Sequence, residues 1–241
     1  MLQTANQKLT KRERRNLRKQ GVTIQSGLSI KQCYPLTINQ GRAFKEYENG
    51  KDIFLHGTAG TGKTFLAMYF ALKDVLSENY EKLIIVRSAV QARQIGHLPG
   101  NPKEKLAAYE APYYYTCSKL FNKEYAYDFL KDNGKIEFVS TSFNRGMTFD
   151  NAVVIVEECQ NFNWSELSTT LTRLGKNCRV IVCGDTKQSD LHEMHGKKDL
   201  LKLIQVCKNL SRFAFVQMGI PDIVRSGFVK DFIIECEELG Y

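Results

Sequence analysis

HGTAGTGKTF, residues 56–65, decides how the rest of the chain is read. Gly57 to Thr64 follow the pattern G-x-x-x-x-G-K-T, with a short apolar run, DIFLH (52–56), before it and a long one, KTFLAMYFALKDVL (63–76), after it. A strand in front and a helix behind are the setting a phosphate loop needs. Its glycines let successive backbone N–H groups turn toward an anion, and the positive end of the following helix adds to their pull. Gly57, Thr58, Ala59, Gly60, Thr61, Gly62, Lys63 and Thr64 are therefore the candidate cradle for a nucleoside triphosphate such as ATP. Lys63 reaches the β- and γ-phosphates, and Thr64 takes Mg²⁺.

Outward from the loop, apolar runs alternate with helical patterns. Strands are expected at 52–56, 83–87 (LIIVR), 136–140 (IEFVS), 152–156 (AVVIV), 179–183 (RVIVC) and 212–217 (RFAFVQ). Most are continuous runs without polar alternation, as strands buried on both faces of a parallel sheet read. The helix from Lys63 is apolar nearly all round, so it is expected against the sheet centre. NWSELSTTLTRLG sets Leu167, Leu171 and Leu174 on one face, with Asn163 and Glu166 spaced as a capping box and Gly175 as a C-terminal stop. A last helix at roughly 227–238 carries Phe228, Phe232, Cys236 and Leu239 at near-helical spacing. The fold class is α/β: a phosphate-loop NTPase with a mainly parallel central sheet between two helical layers. Residues 88–131 fit this alternation less well and read as an insertion of loop and short helices. Its Tyr109, Tyr113, Tyr114 and Tyr115 either pack onto the core or stack on bases.

VVIVEECQN (153–161) places two acids at the end of a buried run, where carboxylates are costly unless something positive meets them. With the loop in hand that partner is Mg²⁺. A second strand beside the first would end in Glu157 for the metal, and Glu158 would orient or deprotonate the attacking water. CGDTKQSDL (183–191) follows a third apolar run, and Gln188 there is a candidate sensor of the γ-phosphate.

The chain has 241 residues, enough for one sizeable domain at 26–241 behind a basic arm at 1–25. Its 34 Lys and Arg against 26 Asp and Glu leave a net charge of +8. Much of that lies in KLTKRERRNLRKQG (8–21), a run suited either to a nucleic-acid backbone or to solvent. The seven cysteines form no C-x-x-C pair, which argues against a disulfide framework or a structural zinc site. No run is long enough to span a membrane and no apolar signal core opens the chain, so a cytoplasmic location is expected.

Together these residues resemble the PhoH family, most closely its short phage-encoded members, for which the location would be the host cytoplasm. The likeness runs from Leu36 to Phe232 and includes AGTGKT, VRSAV (86–90), GHLPG (96–100), FNRGMTFDNA (143–152), TRLG (172–175), GDTKQSDL (184–191) and DIVRSGFVKDFI (222–233). Asn39-Gln40 is similar to the family's adenine-side motif, which makes Gln40 the candidate reader of the base. The resemblance implies a RecA-like core, Mg²⁺-dependent ATP hydrolysis, a homo-oligomer with a hexameric ring as one form, and a link to RNA or single-stranded DNA. Two positions depart from the pattern: Glu157 stands where Asp is usual, and Ala108 replaces a proline before Tyr109.

Phosphoryl transfer commonly uses one further cation. Arg225, in the closing family segment, is the first candidate for a finger acting on its own or a neighbouring site, with Arg145 and Arg173 as alternatives. The function expected is an ATPase with helicase-like action on nucleic acid. A non-catalytic ATP switch and a small-molecule phosphotransferase are the competing readings.

Overall fold

The structure, a computed structural model, describes residues 28–88, 102–141, 146–185 and 193–239, excepting the side chains of 102–107 and 193–197. Six strands form one sheet: β1 (Asp52–Gly57), β2 (Lys82–Arg87), β3 (Ile136–Ser140), β4 (Ala152–Glu157), β5 (Arg179–Gly184) and β6 (Phe213–Met218). They lie in the order β3-β2-β4-β5-β1-β6, and every pairing is parallel. The strands fall where the apolar runs place them.

The period of two within a strand explains those unbroken runs. Ile53, Leu55, Leu83, Ile85, Val153, Ile155 and Ile181 enter the core on one face. Phe54, Ile84, Val86, Val154, Val156, Val180 and Val182 enter the core on the other. The middle of each central strand thus needs an apolar residue at successive positions.

The first face is covered by α1 (Ile38–Glu48), α2 (Lys63–Leu76), α3 (Pro102–Phe121) and α4 (Ala126–Asp132). The second is covered by α5 (Trp164–Thr172) and α6 (Glu193–Lys208). The last helix among the described residues is α7 (Phe228–Leu239). α2 buries Leu66 through Leu72 without interruption, together with Val75, as its all-round apolar character requires.

Three expectations are corrected. The acid-bearing strand β4 is not beside the loop strand β1, because β5 lies between them. That inserted strand puts the Gly184-Asp185 end between loop and acids. Residues 102–121 form one helix of 20 residues, not short pieces. Pro112 sits inside it, which forgoes one backbone bond, while the Thr116 hydroxyl donates to the Pro112 carbonyl at 2.9 Å. Gly175 is not the stop of α5, which ends at Thr172 with Arg173 as its cap. Its missing side chain is demanded by crowding, since a Cβ there would overlap Asp150 Oδ1 and lie 2.9 Å from the Phe149 carbonyl oxygen. The last helix, α7, forms at the expected place, and on it Phe228, Phe232 and Leu239 are exposed, Phe228 being 79% accessible. The Asn163–Glu166 capping box is present in full.

Candidate active site

Parallel strands end on one edge, so the groups that terminate β1, β5, β4 and β2 are brought side by side. Register pairs His56 with Gly184 and Arg87 with Glu157. The loop leaves β1 with left-handed backbone at Gly57, Gly60 and Gly62, φ +120°, +75° and +87°. α2 starts at Lys63 with no side-chain cap and no acid in its first turn, so its N–H groups are left for an anion. Lys63 Nζ donates to the loop's own carbonyls, Gly57 O at 2.6 Å and Thr58 O at 2.9 Å. The Thr61 hydroxyl donates to Thr58 O at 2.9 Å and closes the turn.

Loop and acids meet directly. The Thr64 hydroxyl donates to Glu157 Oε1 at 2.7 Å. Glu157 is 3% exposed, and its Oε2 is buried with no hydrogen-bond partner among the described residues. An orphaned carboxylate oxygen in that position is costly, and a Mg²⁺ ion shared with Thr64 would answer it. The residues present therefore fit the ion.

Burial first, and then the charge of Glu158, push the Glu157 carboxyl up to about 7, against the opposing pull of the Thr64 hydrogen bond, Arg87 and Lys63. Its proton is held more tightly in the folded chain than at the usual value of 4.5. Without metal, this group's contribution to stability is full below about pH 4.5 and is lost as pH rises through about 7. Mg²⁺ binding runs the other way, because ligation needs the carboxylate. Melting curves at pH 5 and pH 8 should therefore show a larger Mg²⁺-induced rise in Tm at pH 8, and Glu157→Gln should abolish the difference.

Glu158 adopts a left-handed conformation, φ 54° and ψ 50°, at the start of the short turn Cys159–Asn161. Gln160, itself buried, spans the gap between strands. Its Nε2 donates to Glu158 Oε2 at 2.5 Å and its Oε1 accepts from the Asp185 N–H at 3.0 Å. A side chain on Gly184 would overlap Cys159 Sγ, so β5 and the acid turn are pressed together.

A cavity of about 460 Å³ opens over the loop. Ala59, Gly60, Gly62, Lys63, Thr64, Glu158 and Asp185 form its floor side. Cys33, Tyr34, Leu36 and Gln40 line it from the segment before α1 and from α1 itself, and Pro112, Tyr115, Thr116 and Lys119 line it from α3. Val224 and Arg225 complete it. The Val224 N–H donates to Gly60 O at 3.1 Å, and a Cβ on Gly60 would lie 3.0 Å from Arg225 Cγ and from Ile233 Cδ1. The chain's closing segment thus rests on the phosphate loop.

Of the residues singled out from sequence, Gly60, Gly62, Lys63, Thr64, Ala59, Gln40, Glu158 and Arg225 share this cavity, and Glu157 joins it through Thr64. Gly57, Thr58 and Thr61 form the loop's frame. Arg173 does not line the cavity, and its Nε is buried without a partner among the described residues. Gln188 and Arg145 lie outside the described residues, as does the arm 1–25. The tyrosines divide: Tyr113 is buried, Tyr114 donates to Asp128 at 2.7 Å, Tyr109 lies 5.6 Å from Arg87, and Tyr115 is exposed at the cavity. Arg87, the bridging role of Gln160 and the α3 wall were not singled out as functional. For Arg87 the available signal was its position at a strand end, matching that of Glu157 one strand away.

The sequence profile described as PhoH-like protein matches residues 32–236. A PhoH-like protein of Synechocystis sp. is 36% identical over 203 residues, covering 84% of this chain and 61% of its own length. Protein PhoH of Escherichia coli is 34% identical over 190 residues, covering 77% of this chain and 53% of its own. The chain therefore spans little more than half the length of these relatives. The crystal structure of Pif1 helicase from Candida albicans aligns with a TM-score of 0.40 at 19% identity, over 86% of this chain and 44% of that one. Among the described residues, no helix is long and apolar enough to cross a membrane.

Proposed function

This chain belongs to the PhoH family, and on that premise we propose that it is a Mg²⁺-dependent ATPase coupled to single-stranded nucleic acid. One observation carries the reading: the Thr64 hydroxyl at the start of the loop helix is bonded to Glu157, with Glu158 in the same cavity.

Thr64 and Glu157 would hold the metal, which when bound supplies charge neutralisation between the β- and γ-phosphates. Lys63 would exchange its two loop carbonyls for phosphate oxygens. Glu158 would accept the proton of a water attacking the γ-phosphorus, as the bond to the bridging oxygen breaks and ADP departs with the electron pair. Arg225 would stabilise the charge spread over the transferring group. Gln188, four residues past the end of β5 in the sequence, would sense that group. The basic arm would add a sequence-indifferent hold on phosphates, and assembly into a homo-oligomer would let neighbouring copies act on one strand.

The test is ATP hydrolysis with and without single-stranded RNA and DNA, with Lys63→Ala as the inactive control. Single strands should raise the rate. Deleting residues 1–21 should weaken strand binding and reduce the slope of log affinity against log salt, by roughly 0.7 for every phosphate the arm had neutralised. Failure to bind any strand at low salt would remove the coupling and leave the nucleotide site standing.

A further inference from the structure

The helix α7 is 12 residues long and buries none of them, although a helix this short is held by packing more than by its own propensity. One side is accounted for: Ile233 turns toward the phosphate loop, where a Cβ on Gly60 would lie 3.0 Å from its Cδ1. On the opposite side Phe228, Asp231, Phe232, Glu235, Glu238 and Leu239 follow helical spacing and form one exposed stripe. The Phe228 and Phe232 rings stack within it, 5.9 Å apart. Acids and apolar side chains are thus interspersed on one face. The chain as a whole carries +8, so this acidic stripe is a local exception. It repels a phosphate backbone and attracts a basic surface.

The same chain offers such a surface on its other helical layer. Outward on α6 stand Lys198, Leu201, Lys202, Gln205, Val206 and Asn209, again at helical spacing and all exposed, while Leu200, Leu203 and Cys207 enter the core behind them. Together with Trp164 at the start of α5, Lys202, Gln205, Val206 and Asn209 line a cavity of about 410 Å³. Lys202 Nζ lies 5.8 Å from the centre of the Trp164 ring and 3.0 Å from Asp199 Oδ1, so its charge is partly answered within the chain. Lys198 stands one turn before it on the same stripe. Each stripe runs for roughly three turns, so the two match in length.

We propose that the outward stripe of α7 docks on the α5–α6 face of a second copy of this chain, its phenylalanines against Trp164 and Val206 and its acids against Lys198 and Lys202. Each copy brings one acidic helix and one basic face, and the contact covers apolar surface that a single chain leaves in water. α7 follows directly from the segment whose Val224 N–H donates to Gly60 O at 3.1 Å, so a neighbour that holds α7 also holds Arg225 at the phosphate loop. The proposal rests on the homo-oligomer reading above and names its contact.

The experiment is sedimentation velocity of the full chain without nucleotide. The wild type should sediment as an assembly, and Phe228→Ser with Phe232→Ser should weaken association by about tenfold or more, as loss of buried aromatic anchors does. Asp231→Lys with Glu235→Lys should weaken it by about tenfold or more, and so should Lys198→Glu with Lys202→Glu, because like charges then face each other. All four reversals in one chain should return association to within about threefold of the wild type. The substituted residues are exposed, and matching melting curves show that the variants keep the fold. An assembly that ignores the reversals, or that the fourfold variant fails to restore, would overturn the proposal and leave the homo-oligomer reading standing. So would dissociation on deleting residues 1–21, which would make the basic arm the occupant of α7. A wild type that stays monomeric at every concentration would overturn both.

Discussion

Glu158→Gln should lower kcat for ATP hydrolysis by about 10²–10⁴, the range typical of losing a positioned general base, while nucleotide affinity stays near that of the wild type. The substitution keeps size and shape and removes the basicity. Glu158 holds a left-handed backbone that costs about 1–3 kcal/mol at a non-glycine residue, and Gln160 pins its carboxylate at 2.5 Å. Such strain is sustained only where surrounding contacts enforce it, here the short turn Cys159–Asn161 and the bond from Gln160 to the Asp185 N–H. A glutamine at 158 can still accept from Gln160, so the geometry survives and the proton acceptor does not. The measurement is single-turnover hydrolysis at saturating Mg²⁺, with nucleotide affinity determined separately, because a fall in kcat alone is the signature of an interaction made in the transition state. A wild type no faster than the variant would mean that the site binds without turning over, and the switch reading would then replace the enzyme.

Gly57→Ala should be among the most damaging single changes outside the chemistry. The backbone there has φ +120°, and a methyl group would overlap the carbonyl oxygen of Met218 on the neighbouring strand β6. That oxygen accepts the Thr58 N–H at 3.0 Å and cannot retreat without breaking the loop's first anchor. Backbone meets backbone, so no rotamer change relieves it. Strain of this kind belongs to the tail of destabilising mutations, about 4 kcal/mol or more, which for a chain of this length lowers Tm by roughly 8–16 °C. Gly50→Ala is the control: its φ is +83°, but nothing lies within 4 Å of the added carbon. That variant should lose only the left-handed penalty of roughly 1–2 kcal/mol. Scanning calorimetry on both separates the two costs, and equal Tm values would mean that the close approach at Met218 is wrong.

The two glycines show where sequence reading stops. Gly57 is recognisable as part of a loop motif, yet nothing local says that β6 will pass within contact of it. Gly175 carries the same lesson in a place where sequence pointed to a helix stop: the side chain it lacks would collide with Asp150. Pro112 is a helix breaker by local rules, yet α3 runs through it, and Tyr113, Cys117 and Leu120 just beyond it are buried in the core. The row on α7 has helical spacing, and the helix forms, but spacing alone does not reveal which way a face points.

From sequence alone came the six strands, the phosphate loop and the paired acids, because each is written in neighbouring residues: apolar runs with no polar interruption, glycines at set intervals, carboxylates at a run's end. Tertiary structure decided the strand order that slips β5 between loop and acids, the bond between Thr64 and Glu157 across 93 positions, and the bond from Gln40 Nε2 to the Thr61 carbonyl of the loop. Those outcomes depend on which distant segments are brought into contact when the sheet assembles. Contact of that kind is a property of the whole packed sheet and is encoded in no single stretch of it.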